Sequence, residues 1–294
     1  MKKLKLSIAL ISLCILCACN NKIDDKMQDS TGIQPMTEVN DEGEVIITRG
    51  RCGEQANWTY YEETGLLEIY GKGPLWGDIY PDDYTRLRDK NGKILDYPYL
   101  AYDRDGVKSI IVAEGITMLP TDIFSNYKSL QEVTIGNDVD FAGGGSFSYC
   151  RNLKKVLLPD SMENVLYGMF EGCESLESIN IPENARVIYG NAFFGCTALK
   201  EIELSDSVRI IEDFAFYGCN NMEKIKMSEN IGWVGLSAFQ GCSGLSEVMF
   251  PNIEGITIEA EAFKGASLEE VTLNKNTIYS KVAFDTGVRV IFFE

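Results

Sequence analysis

Residues 192–204 read Ala192-Phe193-Phe194-Gly195-Cys196-Thr197-Ala198-Leu199-Lys200-Glu201-Ile202-Glu203-Leu204, and the same apolar skeleton returns 23 residues before and 23 residues after. Phe193 belongs to a column with Phe124, Phe147, Phe170, Phe216 and Phe239, each 23 residues from the next. Cys196 belongs to a second column with Cys150, Cys173, Cys219 and Cys242. Leu199 belongs to a third, which runs Leu130, Leu153, Leu176, Leu199, Met222, Leu245 and Leu268. Self-similarity at a fixed short period is the signature of stacked repeats.

Each repeat carries Leu-x-x-Val/Ile-x-Leu/Ile, as in Leu176-Ile179-Ile181 and Leu199-Ile202-Leu204, and Val107-Ile110-Val112 is an earlier rung one period upstream. The last three positions alternate in, out, in, which is strand periodicity. One such strand buries nothing by itself. Stacked at about 4.8 Å per rung, the strands form a parallel sheet over a continuous core. Phe is expected to fill the return side of each coil. A second apolar column (Leu119, Val165, Ile188, Ile211, Val234) marks another inward position, a short strand or turn. Outward strand positions place Glu132 beside Lys155, and Lys224 between Glu201 and Glu247. Opposed charges across rungs contribute about 0.2–1 kcal/mol per pair.

The period slips at the C-terminal end. Phe263 follows Phe239 by 24 residues, and Ala266 stands in the Cys column. A final alternating strand is expected over Val288–Phe293, and irregular end coils are usual in solenoids. Upstream, Asn57–Tyr61 and Leu66–Tyr70 flank Glu62-Glu63-Thr64-Gly65, a hairpin signal. A Pro-, Tyr- and Asp-rich loop follows over residues 73–106.

Cys52-Gly53, then Trp58, then Gly65-x-Leu67-x-Ile69-x-Gly71-x-Gly73, then repeats of the form Ala192-Phe193-x-Gly195-Cys196-x-x-Leu199, resemble the BspA-like leucine-rich-repeat surface proteins. The resemblance covers residues 52 to about 273. It implies an α/β, strand-dominated fold: a right-handed leucine-rich-repeat solenoid of 23-residue coils, with the parallel sheet on the concave face and a β-hairpin cap module. Two departures stand out. Tyr127 occupies the first Cys position, and Gly143-Gly144-Gly145 predicts a locally distorted second coil.

The first residues read as an export signal. Lys2, Lys3 and Lys5 precede an apolar run from Leu6 to Leu16, too short to span a membrane comfortably. Leu16-Cys17-Ala18-Cys19 resembles a bacterial lipobox, in which Cys19 is lipidated and becomes the first mature residue. The expected organisation is a signal peptide over 1–18, lipidated Cys19 and a polar tether over 19–43, a cap module over 44–106, and the solenoid with its C-terminal cap over 107–294.

Composition excludes several chemistries. The formal charge is −17, which disfavours nucleic acid, because phosphate binding needs clustered Lys and Arg. The chain has no histidine, so neither Ser-His-Asp nor Cys-His nucleophile systems are available. The Cys column lacks the convergent spacing of a zinc site. Its members read as small buried residues packing at a tight turn. Bridges between adjacent rungs lie within the Cα reach of about 4.4–6.8 Å, but the column is odd in number and its Cβ vectors run parallel. Asp78, Asp82 and Asp83 do not have EF-hand spacing. No pair of carboxylates is placed on a cleft, so the expectation is a non-enzyme without cofactor.

A ligand is therefore expected on the outer surface. Ile111, Leu157 and Met249 are apolar at outward strand positions, and the loop from Trp76 to Tyr102 holds Trp76, Tyr80 and Tyr84. Exposed aromatics suit protein hot spots and sugar stacking; the loop aromatics also suit covering the open end of the first rung. The expected function is recognition of a protein on a host or neighbouring cell by an exported, lipid-anchored envelope protein that touches the membrane through its anchor alone. Carbohydrate binding by an accessory lipoprotein through the Tyr-rich loop is the alternative, and a structural envelope role without specific ligand a further one.

Overall fold

The computed structural model describes residues 36–40, 45–75 and 104–294. The signal peptide and Cys19 lie outside them.

The predicted columns stack. Strands Ser109–Val112, Glu132–Ile135, Lys155–Leu157 and Ser178–Ile179 pair in parallel, rung on rung. Glu201–Glu203, Lys224–Lys226, Glu247–Met249, Glu270–Leu273 and Arg289–Phe292 continue that face. The two runs are joined by a single bridge, Asn180 to Glu203. Towards the preceding rung the Asn180 side chain bonds the backbone: its Oδ1 accepts from Leu158 N at 3.1 Å and its Nδ2 donates to Leu158 O at 2.9 Å.

The second apolar column is a second parallel sheet, built of two-residue strands: Asn164–Val165, Val187–Ile188, Ile210–Ile211, Trp233–Val234, Thr257–Ile258 and Ile278–Tyr279. Upstream, Ile116–Leu119 and Phe141–Ala142 hold the corresponding places. Leu119, Ala142, Val165, Ile188, Ile211 and Val234 are all fully buried.

Between the second sheet and the next Leu, the chain returns through turns. Among the described residues there is no α-helix, only the 3-10 turn Arg104–Gly106, so the helical part of the expected α/β class is not realised. The reason lies in the backbone. Each return segment contains two residues in the left-handed region four apart, such as Asn191 (φ 56°) with Gly195 (φ 71°), and Phe214 (φ 58°) with Gly218 (φ 72°). A left-handed residue every fourth position prevents a right-handed helix from propagating. The amides that a helix would have paired internally bond instead to the neighbouring coil. Phe170 N donates to Ala192 O at 2.8 Å, Phe193 N to Ala215 O at 2.7 Å, and Phe216 N to Ala238 O at 2.8 Å.

Inside this frame the phenylalanines stack. Phe193 and Phe216 have ring centroids 5.0 Å apart at an interplanar angle of 7°, and Phe216 and Phe239 repeat the arrangement. The column survives the irregular coil. The extra residue is absorbed between Met249 and Thr257, and Phe263 still stacks on Phe239 at 5.1 Å. Phe284 then extends the column at 5.3 Å from Phe263, after a coil of only 21 residues. The triple glycine does not distort the second coil: Phe147 stacks between Phe124 and Phe170, and Gly145 (φ 64°) occupies the same left-handed position as Asn191.

The six described cysteines are free thiols. Each member of the column donates to a Phe carbonyl one coil back, for example Cys173 Sγ to Phe147 O at 3.2 Å and Cys196 Sγ to Phe170 O at 3.2 Å. Burial pushes the Cys150 thiol up to about 12, and Cys173 and Cys219 are also raised, chiefly by burial. These are protonated, unreactive packing groups.

The cap is continuous with the solenoid. Met36–Val39, Val45–Arg51, Gln55–Tyr61 and Leu66–Pro74 form an antiparallel meander, so strand structure begins at Met36, inside the stretch read as tether. The hairpin turn closes as expected, with Gly65 N donating to Tyr61 O at 2.9 Å. Leu66–Pro74 serves both sheets. Leu66–Ile69 pairs with Ser109–Val112, and Gly73 and Pro74 pair with Ile116 and Met118. Gly71 makes the junction possible: a Cβ there would lie 2.1 Å from Gln55 O.

Candidate functional site

Three of the residues singled out in the sequence share one outward column of the first sheet. The register runs Ile111, Thr134, Leu157 on one run and Glu203, Lys226, Met249, Thr272 on the other, with Asn180 between them. Ile111 and Leu157 are half-buried and two rungs apart, and Met249 lies four rungs beyond Leu157. At about 4.8 Å per rung that is about 19 Å, and the rungs between carry Asn180, Glu203 and Lys226. The structure does not gather these three into one patch. Trp76, Tyr80 and Tyr84 lie outside the described residues.

Apolar exposure gathers on the other sheet. Its outward column includes Val187, Ile210, Trp233, Thr257 and Ile278, in that register. Ile210 and Trp233 are adjacent and exposed, Trp233 by 39%. Facing them across the chain's turn is Tyr167, exposed by 59%. Together with Phe214 and the polar residues between them, these side chains line an open groove of about 780 Å³, within the roughly 300–1,000 Å³ usual for ligand sites.

Local sequence explains the geometry. Tyr167 lies over Gly190 on the next rung: a Cβ at 190 would stand 3.3 Å from its Cε2 and 3.4 Å from its Cδ2. The same Cβ would stand 3.2 Å from Asp213 O, so a side chain at 190 would crowd both the ring and the next rung's backbone. Asn191 Nδ2 donates to the Tyr167 hydroxyl at 2.9 Å, which fixes the far end of the phenol. Glu212 and Asp213 form the floor of the next rung. Glu212 Oε2 accepts from Gly190 N at 3.0 Å, and Asp213 Oδ1 accepts from Leu236 N at 2.8 Å. Each carboxylate is thus oriented by one oxygen and keeps the other for a ligand. Gly235 is required beside them, because a Cβ there would lie 2.6 Å from Asp213 N. Among the described residues no Lys or Arg lines the groove.

A second tyrosine repeats the device nearby. Tyr149, also exposed, lies over Gly172 and donates its hydroxyl to Glu171 Oε1. The hydrogen bond to Glu171, with partial burial and the Glu171 charge, pushes the phenol above its ordinary range.

The sequence reading missed Tyr167, Ile210, Phe214 and Trp233. A signal existed: Ile210 and Trp233 stand 23 apart, each immediately before an inward residue of the second column. Reading that column as a strand with its own outward parity would have exposed them. Among the described residues no group of three Cys, Asp or Glu side chains converges on a metal-sized point.

A family model agrees with this repeat architecture. The family model described as BspA type leucine rich repeat region matches residues 98–193 and 167–287, in six copies. A leucine rich repeat protein of T. pallidum is 18% identical, with 74% of this chain and 81% of that one covered at a TM-score of 0.49. A leucine rich cell surface protein from Faecalibacterium prausnitzii is 19% identical, covering 89% of this chain and 77% of that one at 0.47. A leucine-rich repeat protein from Bacteroides ovatus is 18% identical, covering 82% and 99% at 0.35. No curated protein matches the chain.

Proposed function

The chain belongs to the BspA-type leucine-rich repeat family, and on that premise we propose that it is an exported, lipid-anchored surface protein that binds a macromolecular ligand on a host or neighbouring cell. Proteins of this family are typically cell-surface proteins, and such repeats are typically non-enzymatic scaffolds. No helix among the described residues is long and apolar enough to cross a membrane. Attachment is assigned to lipidated Cys19, since more than one acyl chain gives stable anchoring.

The observation that carries the binding role is the exposed apolar column of the second sheet. Ile210, Trp233 and Tyr167 do no work in the core, yet they stand together on the surface. Such grouping marks interaction sites, and Trp and Tyr are the residues that dominate binding hot spots.

The test uses cells that display the full chain. Capture of labelled host or neighbouring cells is expected to fall roughly tenfold or more for Ile210→Glu with Trp233→Glu, and to remain with Met249→Ala. Cys19→Ser is expected to abolish palmitate incorporation and release the protein from the membrane fraction. Undiminished capture by the correctly folded double variant would defeat the assigned surface, and membrane retention without Cys19 would defeat the anchor.

A further inference from the structure

We propose that the groove between Tyr167 and Trp233 is a binding site for a neutral oligosaccharide, presented as part of a polysaccharide or glycan chain. This rests on the reading of the second sheet as the ligand-binding surface and names the ligand class.

Charge limits the occupant first. Among the described residues the charged groups lining the groove are Glu212 and Asp213, with no compensating cation, on a chain of net charge −17. Phosphate, sulfate, uronate and sialate groups would all meet like charge in a site without a donor cation. A neutral or cationic ligand remains.

Ring placement separates those two. A cationic head group is held by rings closed around one point. Here the rings are spread out. Phe214 leans on Tyr217, with centroids 6.0 Å apart, and among the described residues no pair among Tyr167, Phe214 and Trp233 is in ring contact. The Tyr167 ring packs beside Gly190, is held at its hydroxyl by Asn191 and is exposed, so it offers ring surface to a ligand at small entropic cost. A pinned, exposed ring face suits the apolar C–H face of a pyranose, with the amphipathic ring chemistry of Tyr and Trp supplying the contact.

Hydrogen bonding completes the match. A sugar ring presents hydroxyl donors around its edge. The free oxygens of Glu212 and Asp213 are acceptors whose carboxylates are already oriented by Gly190 N and Leu236 N. Hydrogen bonds to carboxylate acceptors contribute more than bonds to neutral ones. The groove is open and far larger than one ammonium group requires, which fits a chain of sugar rings passing through.

The experiment titrates the full chain, in detergent or with its lipid anchor in vesicles, with cello-, laminari-, malto-, manno- and N-acetylchitohexaose. Trigalacturonate serves as the anionic counterpart and oligolysine as the cationic one. Binding is read by calorimetry and by tryptophan fluorescence. At least one neutral hexasaccharide is expected to bind, with affinity falling roughly tenfold or more in Tyr167→Ala and in Trp233→Ala. Gly190→Val, which crowds the Tyr167 ring and the Asp213 carbonyl without removing either, is expected to do the same, and Met249→Ala to leave binding unchanged. Circular dichroism and melting confirm that each variant folds. Failure of every neutral sugar, or stronger binding of trigalacturonate, overturns the inference. Oligolysine binding lost in the same variants overturns it too, and leaves the second sheet as a docking face for basic protein segments. If cell capture is also unaffected by Ile210→Glu with Trp233→Glu, the underlying reading falls with it.

Discussion

The two sheets have the same backbone and opposite surfaces. Both stack parallel strands rung on rung, and both turn apolar residues inward, as Val133 and Ile135 do on the first and Ile211 on the second. Outside, the first sheet carries Glu132, Lys155, Ser178, Glu201, Lys224 and Glu247, all exposed, whereas the second carries Val187, Ile210, Trp233, Thr257 and Ile278. Parallel stacking brings each outward side chain against its own counterpart about 4.8 Å away, so a column of one charge would repel itself. From Glu132 to Glu247 the first sheet alternates sign or inserts Ser178, and Glu270, next to Glu247, is paired with Arg289 on its other side. The second avoids self-repulsion by omitting charge. The difference teaches that the interior fixes the fold and leaves both exteriors free, so an exposed Trp and Ile on one of them call for a role other than folding.

The largest expected effect tests that division. Phe193→Ala removes a fully buried ring from the middle of the stack and is expected to cost about 3–5 kcal/mol in denaturant unfolding. Trp233→Ala, on the exterior, is expected to change stability by at most about 0.5 kcal/mol. A Trp233→Ala cost comparable to that of Phe193→Ala would show that the second exterior does belong to the core, and the contrast between the sheets would collapse.

An intermediate effect comes from the thiols beneath the return turns. Cysteine in the unfolded chain ionises near 9, while Cys150 in the folded protein is held protonated up to about 12 and Cys173 is raised as well. Below pH 9 both states keep the proton. Between pH 9 and 12 only the folded state does, so unfolding releases protons and stability falls as pH rises. Melting temperature should therefore decline more steeply between pH 9 and 11 in the wild type than in Cys150→Ala with Cys173→Ala. Equal slopes, or rapid modification of the native thiols by an aqueous disulfide reagent, would contradict the buried ladder.

Most of this architecture was legible because stacking repeats its requirements. The Phe, Cys and Leu columns each recur at the coil length, and so do the rungs they define. What was not legible depends on contacts between coils. Asp122, Asn191, Phe214, Ser237 and Glu261 all adopt φ between 53° and 58°, yet their side chains share no signal for it. The neighbouring coil holds them there, as when Phe214 N donates to Leu236 O at 3.0 Å. The bond from Cys196 Sγ to Phe170 O likewise spans 26 residues, so a reading within one repeat sees a small apolar residue and not a donor. The groove was missed for a third reason. Two-residue strands such as Ile210–Ile211 are too short to announce an alternation, and the outward partner of each inward residue went unassigned.

The smallest effect sharpens the comparison from the charged side. Lys224 lies between Glu201 and Glu247 in register, and its Nζ stands 3.9 Å from Glu201 Oε2. All three side chains are well exposed, so solvent screens the pair and its contribution belongs at the low end of about 0.2–1 kcal/mol. Lys224→Glu replaces two attractions with two repulsions and is expected to lower stability by about 0.5–1 kcal/mol at low salt. The loss should fade near 1 M salt, where the screening length is about 3 Å. Ligand binding should be untouched, because this column faces away from the groove's lining. A salt-independent loss would mean that Lys224 contributes through packing of its aliphatic stem. A loss of ligand binding would mean that the charged sheet, and not the aromatic one, carries recognition.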